Sequence, residues 1–351
     1  MGNYESLTSI DTSKVHEIPI IFGDYNTNDA NEGECTTPMT SGATGNCTVG
    51  DYMTHPAFLS IPSTGFWVGK FTTTYQNTSE GIYDPENISI KPNQQVWDLR
   101  PMAYAYQNSY NYKRDLDSHM MKNTEWGAVA YLSYSEYGIQ KKVRINNNSD
   151  YVTGYAANNE PTCGYTGKNE ECNRYCSDGT CNTAYPSSVL ASTTGNISGI
   201  YDMAGQYTTV MVFMQYSDGN VTVGRSNDYQ SGFKGALGDG SVNTSGVDLP
   251  DQKYYDLYLF SDVLYNSTYN RRILGDATGE MGPIEVWSNP AFNITSWNNA
   301  TLDQYFSTTY PACRRGYSYS GGYISDIFAF QGHHGAGSIH FRIILTPVVN
   351  N

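Results

Sequence analysis

The apolar runs of this chain are short, and Gly, Asn, Asp or Pro ends each of them within a few residues. The strand-like runs are Gly65 to Thr73, Gly127 to Leu132, Val210 to Met214, Ile327 to Phe330 and Ile339 to Leu345. Such lengths suit brief strands closed by turns, and none approaches the roughly 18 apolar residues of a membrane span. Helical periodicity is confined to two stretches. Trp97 to Tyr106 is one; the other is Ser118 to Leu132, with Ser118 as N-cap and Trp126, Val129 and Ala130 on one face. Few helices, short strands and long loops predict an irregular α+β fold. Residues 158–186 and 217–250 read as loop-rich insertions, and loops this long inside a compact domain are normally tied down or functional. The polar, irregular segment 1–50 reads as an N-terminal extension ahead of one domain over 51–351.

A chain of 351 residues can bury a core without a covalent staple. Its 20 Lys and Arg against 34 Asp and Glu give a net charge of -14, a field that repels phosphate and anionic lipid. Nucleic acid is therefore not an expected partner. The start, Met1 to Ser13, is polar and lacks the apolar core of a signal peptide. The chain is thus expected to be soluble, without membrane insertion of its own, any export signal or anchor having been removed or residing on a partner. The 31 Tyr, set among Asn, Ser, Thr and Gly with only 15% charged residues, match the diet of a binding surface. Tyr offers rigid contact area and a hydrogen-bonding tip at small entropic cost.

The seven cysteines lack the tight Cys-x-x-Cys hairpin usual in zinc sites, so disulfides in an oxidising compartment are the expectation. Cys35 and Cys47 would close one loop. Cys163, Cys172, Cys176 and Cys181 would form two more bridges in a pairing the spacing leaves open, with Cys313 the odd thiol. No metal or cofactor is expected. His333, His334 and His340 have no carboxylate spaced to complete a ligand set, and adjacent histidines on an extended segment point opposite ways. Asp218-Gly219-Asn220 and Asp239-Gly240 read as turns; structural calcium has no clear motif behind it. No Gly-x-Ser-x-Gly elbow supports a hydrolase.

Four motifs occur in order. They are Gly65-Phe66-Trp67-Val68-Gly69-Lys70-Phe71, the segment His119 to Leu132 around Trp126, the turn and strand Gly195-Asn196-Ile197-Ser198-Gly199-Ile200-Tyr201-Asp202-Met203-Ala204-Gly205, and Arg315-Gly316 with Phe328-Ala329-Phe330 and Phe341-Arg342-Ile343-Ile344-Leu345. Together they resemble the formylglycine-generating-enzyme (sulfatase-modifying-factor) family and its retroelement-diversified bacterial and phage relatives. The resemblance spans residues 52 to 347. It implies a C-type-lectin-like fold: a small antiparallel sheet, two helices and long ordered loops. It does not by itself imply function.

Oxidase members of that family place paired cysteines just before the closing Phe-Arg motif. Here Tyr317 to Ile327 holds no cysteine, and Gln206-Tyr207-Thr208 stands where the family has Trp-Glu-Trp. The chain is therefore not expected to be an enzyme, although an oxidase with an atypical site is one alternative. The other is a structural subunit of a surface appendage or virion. Between Arg315 and Arg342, apolar anchors at Ile324, Ile327, Phe328, Phe330, Ile339 and Phe341 alternate with polar and aromatic positions. In diversified relatives the adenines of a template are randomised, so an AAC codon becomes Tyr, Ser, Gly, Asp, His or Ala. Tyr317, Ser318, Tyr319, Ser320, Tyr323, Ser325, Asp326, His333, His334, Ser338 and His340 fall in that set and are the expected outward-facing contact residues. The expected partner is a protein or glycan on another cell, met extracellularly at a cell or virion surface, with oligomer or appendage association adding avidity.

Overall fold

The structure, a computed structural model, describes residues 55–58, 65–77, 83–141, 143–158, 182–215, 218–259, 275–277, 310–317 and 325–346. Segment 1–50 and the six paired-cysteine candidates (Cys35, Cys47, Cys163, Cys172, Cys176 and Cys181) lie outside those residues, and Cys313 is a buried free thiol. In chain order the elements begin with β1 (Trp67–Val68), β2 (Thr74–Tyr75), β3 (Ile88–Ser89), α1 (Met102–Tyr112), β4 (His119–Met120) and α2 (Asn123–Tyr134). They continue with β5 (Ala156–Ala157), β6 (Asn182–Thr183), β7 (Thr208–Val210), β8 (Val212–Gln215), β9 (Val221–Thr222), β10 (Gly224–Ser226) and β11 (Tyr229–Gln230). The last are β12 (Gly235–Ala236), β13 (Val242–Asn243), β14 (Asp256–Leu259), β15 (Ala312–Arg315), β16 (Phe330–His333) and β17 (Ile343–Leu345). The architecture is α+β, with two helices among several small, mostly antiparallel sheets. No helix among the described residues is long and apolar enough to cross a membrane.

Both helices start later than the periodicity predicts, for local reasons. Pro101 biases Arg100 away from helical backbone, so the first helix opens at Met102 and not Trp97. The second opens at Asn123, because the Glu125 carboxylate reaches back to accept the Lys122 N–H at 2.8 Å. Ser118 does not cap it. Its hydroxyl accepts the Lys113 N–H (2.9 Å) and donates to the Tyr110 carbonyl (3.1 Å), closing the end of α1. The strand-like run Gly127 to Leu132 lies inside α2.

The chain's first and last apolar motifs meet in one sheet. Trp67 and Val68 pair with Leu345 and Ile344, and β17 pairs on its other side with His119 and Met120 of β4. Successive residues here serve opposite faces. Ile343, Met120 and Phe213 join a cluster with Met102, Phe233 and Phe341, while Ile344, Met121, Val212 and Met214 join another with Trp126, Val129 and Phe328. Sheets covered on both faces explain why these strands read as continuous apolar runs. Within the expected insertion 217–250, residues 218–250 form β9 to β13, three of which extend the sheet that holds β8 and β14.

Polar side chains hold what such short ladders cannot. The Arg342 guanidinium, fully buried, donates to the Gly69 carbonyl, the Tyr201 carbonyl (2.7 Å) and the Thr72 hydroxyl (3.4 Å). Asp202, also buried, accepts from the Thr72 N–H (3.3 Å), the Gly154 N–H (2.8 Å) and the Asn146 amide (2.8 Å). Burial raises the Asp202 carboxyl against the pull of Arg342, and burial lowers Arg342 to about 10 against the pull of Asp202. A second buried group seats α2. His119 places its ring nitrogens 2.8 Å from the Asp117 carbonyl and 2.9 Å from Glu125. Burial alone would raise the Glu125 carboxyl, but the His119 and Lys122 charges and the hydrogen bonds from both residues hold it below its usual range.

Two substitutions test this account. Arg342→Lys keeps a charge yet cannot reach three separate acceptors, and its unfolding free energy in urea is expected to fall by about 2–4 kcal/mol. An exposed helical Gly→Ala exchange adds up to about 1 kcal/mol of stability. At Gly127 the sign should reverse, because a Cβ there collides with the backbone of Gly275 and Asp276. A stabilised Gly127→Ala protein would show that segment 275–277 does not press on α2.

Candidate functional site

The alternation of β15 sorts two adjacent arginines to opposite sides. Arg315 turns into the core, where its guanidinium lies 5.9 Å from the Trp126 ring centroid and donates to the Ala277 carbonyl at 2.9 Å. Arg314 turns the other way, onto the ring of Tyr207 at 4.8 Å, and donates to the Ser338 carbonyl. Tyr207 is delivered there because it immediately precedes β7, which pairs with β15 through Thr208 opposite Arg315 and Thr209 opposite Arg314.

Around Arg314 lies an open pocket of about 340 Å³, lined by Tyr151, Tyr207, Tyr310, Arg314, Gln331, Gly332, His333, His334, Gly337 and Ser338. The two histidines share it. Their rings are 4.5 Å apart and tilted by 31°, so the expectation that they point opposite ways does not hold. Alternation stops because β16 ends at His333, and each ring then folds back to accept a backbone N–H two residues on. Gly335 N–H donates to His333 Nδ1 (3.0 Å) and Ala336 N–H to His334 Nδ1 (3.1 Å). With Nδ1 an acceptor in each neutral ring, Nε2 carries the proton. Burial, with Arg314 beside them, keeps both rings neutral: His333 is pushed well below its ordinary range and His334 is lowered, with Arg225 adding to the latter.

Other aromatic residues extend the face. The exposed Tyr229 lies 5.0 Å from His334, and Tyr310 stacks on the same ring at 6.4 Å. Tyr317 lies 5.9 Å from Tyr207, and Tyr151 meets His340 edge-on at 4.7 Å. Tyr151 is presented by a turn in which the Asn148 side chain accepts the N–H groups of Asp150 (3.0 Å) and Val152 (3.2 Å).

The expected contact residues divide into three groups. Ser318, Tyr319, Ser320 and Tyr323 lie outside the described residues. His333, His334 and Ser338 line the pocket, and the half-buried Tyr317 flanks it. Ser325, Asp326 and His340 are buried, contrary to the expectation that the polar positions face out, and His333 reaches the pocket from a buried position. Asp326 serves the fold locally: its carboxylate accepts the Phe328 N–H at 3.0 Å, shaping the turn whose Ile327 carbonyl accepts the Trp126 indole N–H at 2.7 Å. The sequence reading missed Tyr151, Tyr207, Tyr229, Tyr310 and Arg314. The tyrosines were signalled only by the overall excess of Tyr, and Arg314 by nothing in its local sequence.

Among the described residues no three or more His, Cys, Asp or Glu gather as ligands. Cys313 is buried on the core side of β15, and burial pushes its thiol far up. Asp218 and Asp239 accept N–H groups two residues on, as turn residues do.

His340 supplies a pH test. Burial, with Arg314 and Arg100 nearby and Asp98 opposing, lowers its pKa from 6.5 to about 4. Above 6.5 both folded and unfolded chains hold it neutral; as pH falls, the unfolded chain protonates first and this position destabilises the fold. Asp256, raised by burial to about 6, works in the opposite direction, so a variant must isolate the effect. The destabilisation caused by His340→Gln is expected to shrink by roughly 2–3 kcal/mol between pH 7 and pH 4, measured by urea unfolding. A difference independent of pH would mean that His340 protonates freely in the folded chain.

Compared with known proteins, the sequence matches no protein-family model and no curated protein.

Proposed function

We propose that this chain is a non-catalytic, extracellular ligand-binding protein of C-type-lectin-like fold, whose C-terminal face is varied by a diversity-generating retroelement. The observation that carries the binding reading is the open aromatic pocket around Arg314, walled by Tyr151, Tyr207, Tyr310 and the paired histidines. Such an assembly is what recognition requires. A few rigid aromatic anchors supply most of the affinity of an interface, and hydroxyls and ring N–H groups at their tips set orientation.

The pocket is poorly equipped for catalysis. Its one aliphatic hydroxyl, Ser338, accepts a hydrogen bond from Arg100 at 3.0 Å, and its lining includes no carboxylate to orient a histidine as a base. Both histidines already spend Nδ1 on backbone N–H groups. Tyr317 to Ile327, where an oxidase of the resembled family would carry its paired thiols, holds no cysteine.

The test is binding of the intact protein to an array of bacterial surface proteins and glycans, beside Tyr229→Ala and His334→Ala variants and a Tyr319→Ala, Tyr323→Ala double variant. Tyr229 is 45% exposed, so its truncation should leave folding intact. A hit weakened roughly tenfold or more by the first two variants places the ligand on this face. A hit lost only in the double variant moves the contact to residues 318–324. Hits unchanged in all three, with normal thermal unfolding, would overturn the reading, and self-assembly into filaments without any hit would favour an appendage subunit.

A further inference from the structure

The charge around the pocket runs against that of the chain. On a protein of net charge -14, three arginines gather at this face. Arg314 lies in the pocket, Arg225 lies 5.3 Å from the Tyr229 ring, and Arg100 donates to Ser338. The nearby carboxylate, Asp98, is already occupied by Arg100 (2.8 Å) and by the Ile339 N–H (2.7 Å). Asp98 is not among the lining residues.

The lining is also rich in donors. Arg314 uses one Nη2 hydrogen on the Ser338 carbonyl, and its Nε is buried without a hydrogen-bond partner. His333 adds its Nε2–H. These donors converge at Gly337: a Cβ on that residue would lie 3.1 Å from His333 Nε2 and 3.2 Å from Arg314 Nη2. The two donors therefore stand together beside Gly337 and form an N–H seat in the wall of the cavity that Tyr151, Tyr207 and Tyr310 also line.

We propose that this seat takes the carboxylate of an acidic sugar, a uronic or sialic type of residue on a glycan, while the tyrosine walls cover the sugar ring. This rests on the reading of the face as a ligand site. A planar carboxylate matches the fork of an arginine, which a neutral sugar cannot exploit. The polarised C–H face of a pyranose meets the negative face of a tyrosine ring. About 340 Å³ lies at the small end of ligand pockets, the size of a single ring whose glycan continues into solvent. An acidic peptide side chain would satisfy Arg314 but leave the walls bare.

The experiment is titration of the full chain with glucuronate, its neutral methyl ester and N-acetylglutamate, followed by saturation-transfer NMR. Glucuronate is expected to bind with a Kd on the order of 1 mM. The ester and N-acetylglutamate are each expected to bind roughly tenfold more weakly. Arg314→Gln should abolish the preference. Because the half-buried Arg314 also holds the Ser338 carbonyl and that variant could unfold, Gly337→Ala provides an independent check. Its methyl would stand 3.1 Å from His333 Nε2 and 3.2 Å from Arg314 Nη2, tight enough that those side chains must shift by a few tenths of an ångström, and would cover both donors; it should abolish glucuronate binding while the protein still unfolds cooperatively on heating.

Equal binding of acid and ester would overturn the proposal, as would glucuronate binding that survives Gly337→Ala. N-acetylglutamate binding as tightly as glucuronate would overturn it in favour of an acidic peptide. Array hits that depend on Tyr229 and His334, without glucuronate binding, would overturn this inference alone and leave the ligand-binding reading in place.

Discussion

The buried guanidinium of Arg342 is the constraint on which most of this molecule depends. It satisfies the Gly69 carbonyl, the Thr72 hydroxyl and the Tyr201 carbonyl, drawing together segments more than a hundred residues apart in sequence. Desolvating such a group costs several kcal/mol, and that penalty is offset only when its donors reach well-placed acceptors. The arrangement is therefore specific as well as stabilising: a chain that brings the wrong segments to Arg342 leaves a buried cation unsatisfied. Asp202 extends the same network from the opposite side of Thr72 to Asn146 and Gly154. Between those two residues the chain makes the turn that offers Tyr151 to the pocket. The core constraint and the candidate site thus share one polar hub.

Short strands make this reliance on side chains necessary. Several ladders here contain only two residue pairs, too few to hold a sheet by backbone hydrogen bonds alone. Pairing is reinforced by side chains that reach across to main-chain atoms: Trp126 to Ile327, Arg315 to Ala277, Asn243 to Phe233 and Asp256 to Thr124. Each removes a buried polar group from the unsatisfied column while pinning a loop. The same economy operates in β15, where neighbouring arginines perform unrelated tasks because the pleat sends one to the core and the next to the pocket.

The parts of the fold legible in the sequence are those governed by local pattern. The apolar runs Val210 to Met214 and Ile339 to Leu345 contain strands because their burial on two faces leaves a continuous apolar signal. Trp126, Val129 and Ala130 do lie on one buried side of a helix. Helix starts were misread where the deciding partner is not the nearest capping residue: Glu125 closes α2 onto Lys122, and Ser118 is drawn to Tyr110 and Lys113. The site was legible only in part for a similar reason. His333, His334 and Ser338 belong to one stretch, whereas Tyr151, Tyr207 and Tyr310 arrive from segments whose convergence depends on Asp202 and on the pairing of β7 with β15. A tyrosine in a loop carries no local mark of which cavity it will reach.

The way the C-terminal stretch is held bears on whether its contact residues could be exchanged without loss of the fold. Side chains outside the candidate contact positions grip its main chain: Trp126 holds the Ile327 carbonyl, Asp98 the Ile339 N–H and Arg314 the Ser338 carbonyl. A hydrogen bond to a backbone atom survives replacement of the side chain on that residue, provided the backbone can keep its shape. Packing supplies the remaining anchors through Ile327, Phe328, Phe330, Ile339 and Phe341, all buried. His334 and Ser338 are only half-buried, so exchange there disturbs few core contacts. Ser325, Asp326 and His340 differ, because each is buried, and a larger residue at any of them would have to displace core atoms. On the proposed reading, tolerance to variation should therefore be graded along the stretch by burial: greatest at the pocket mouth, and least where polar residues have turned inward to complete the core.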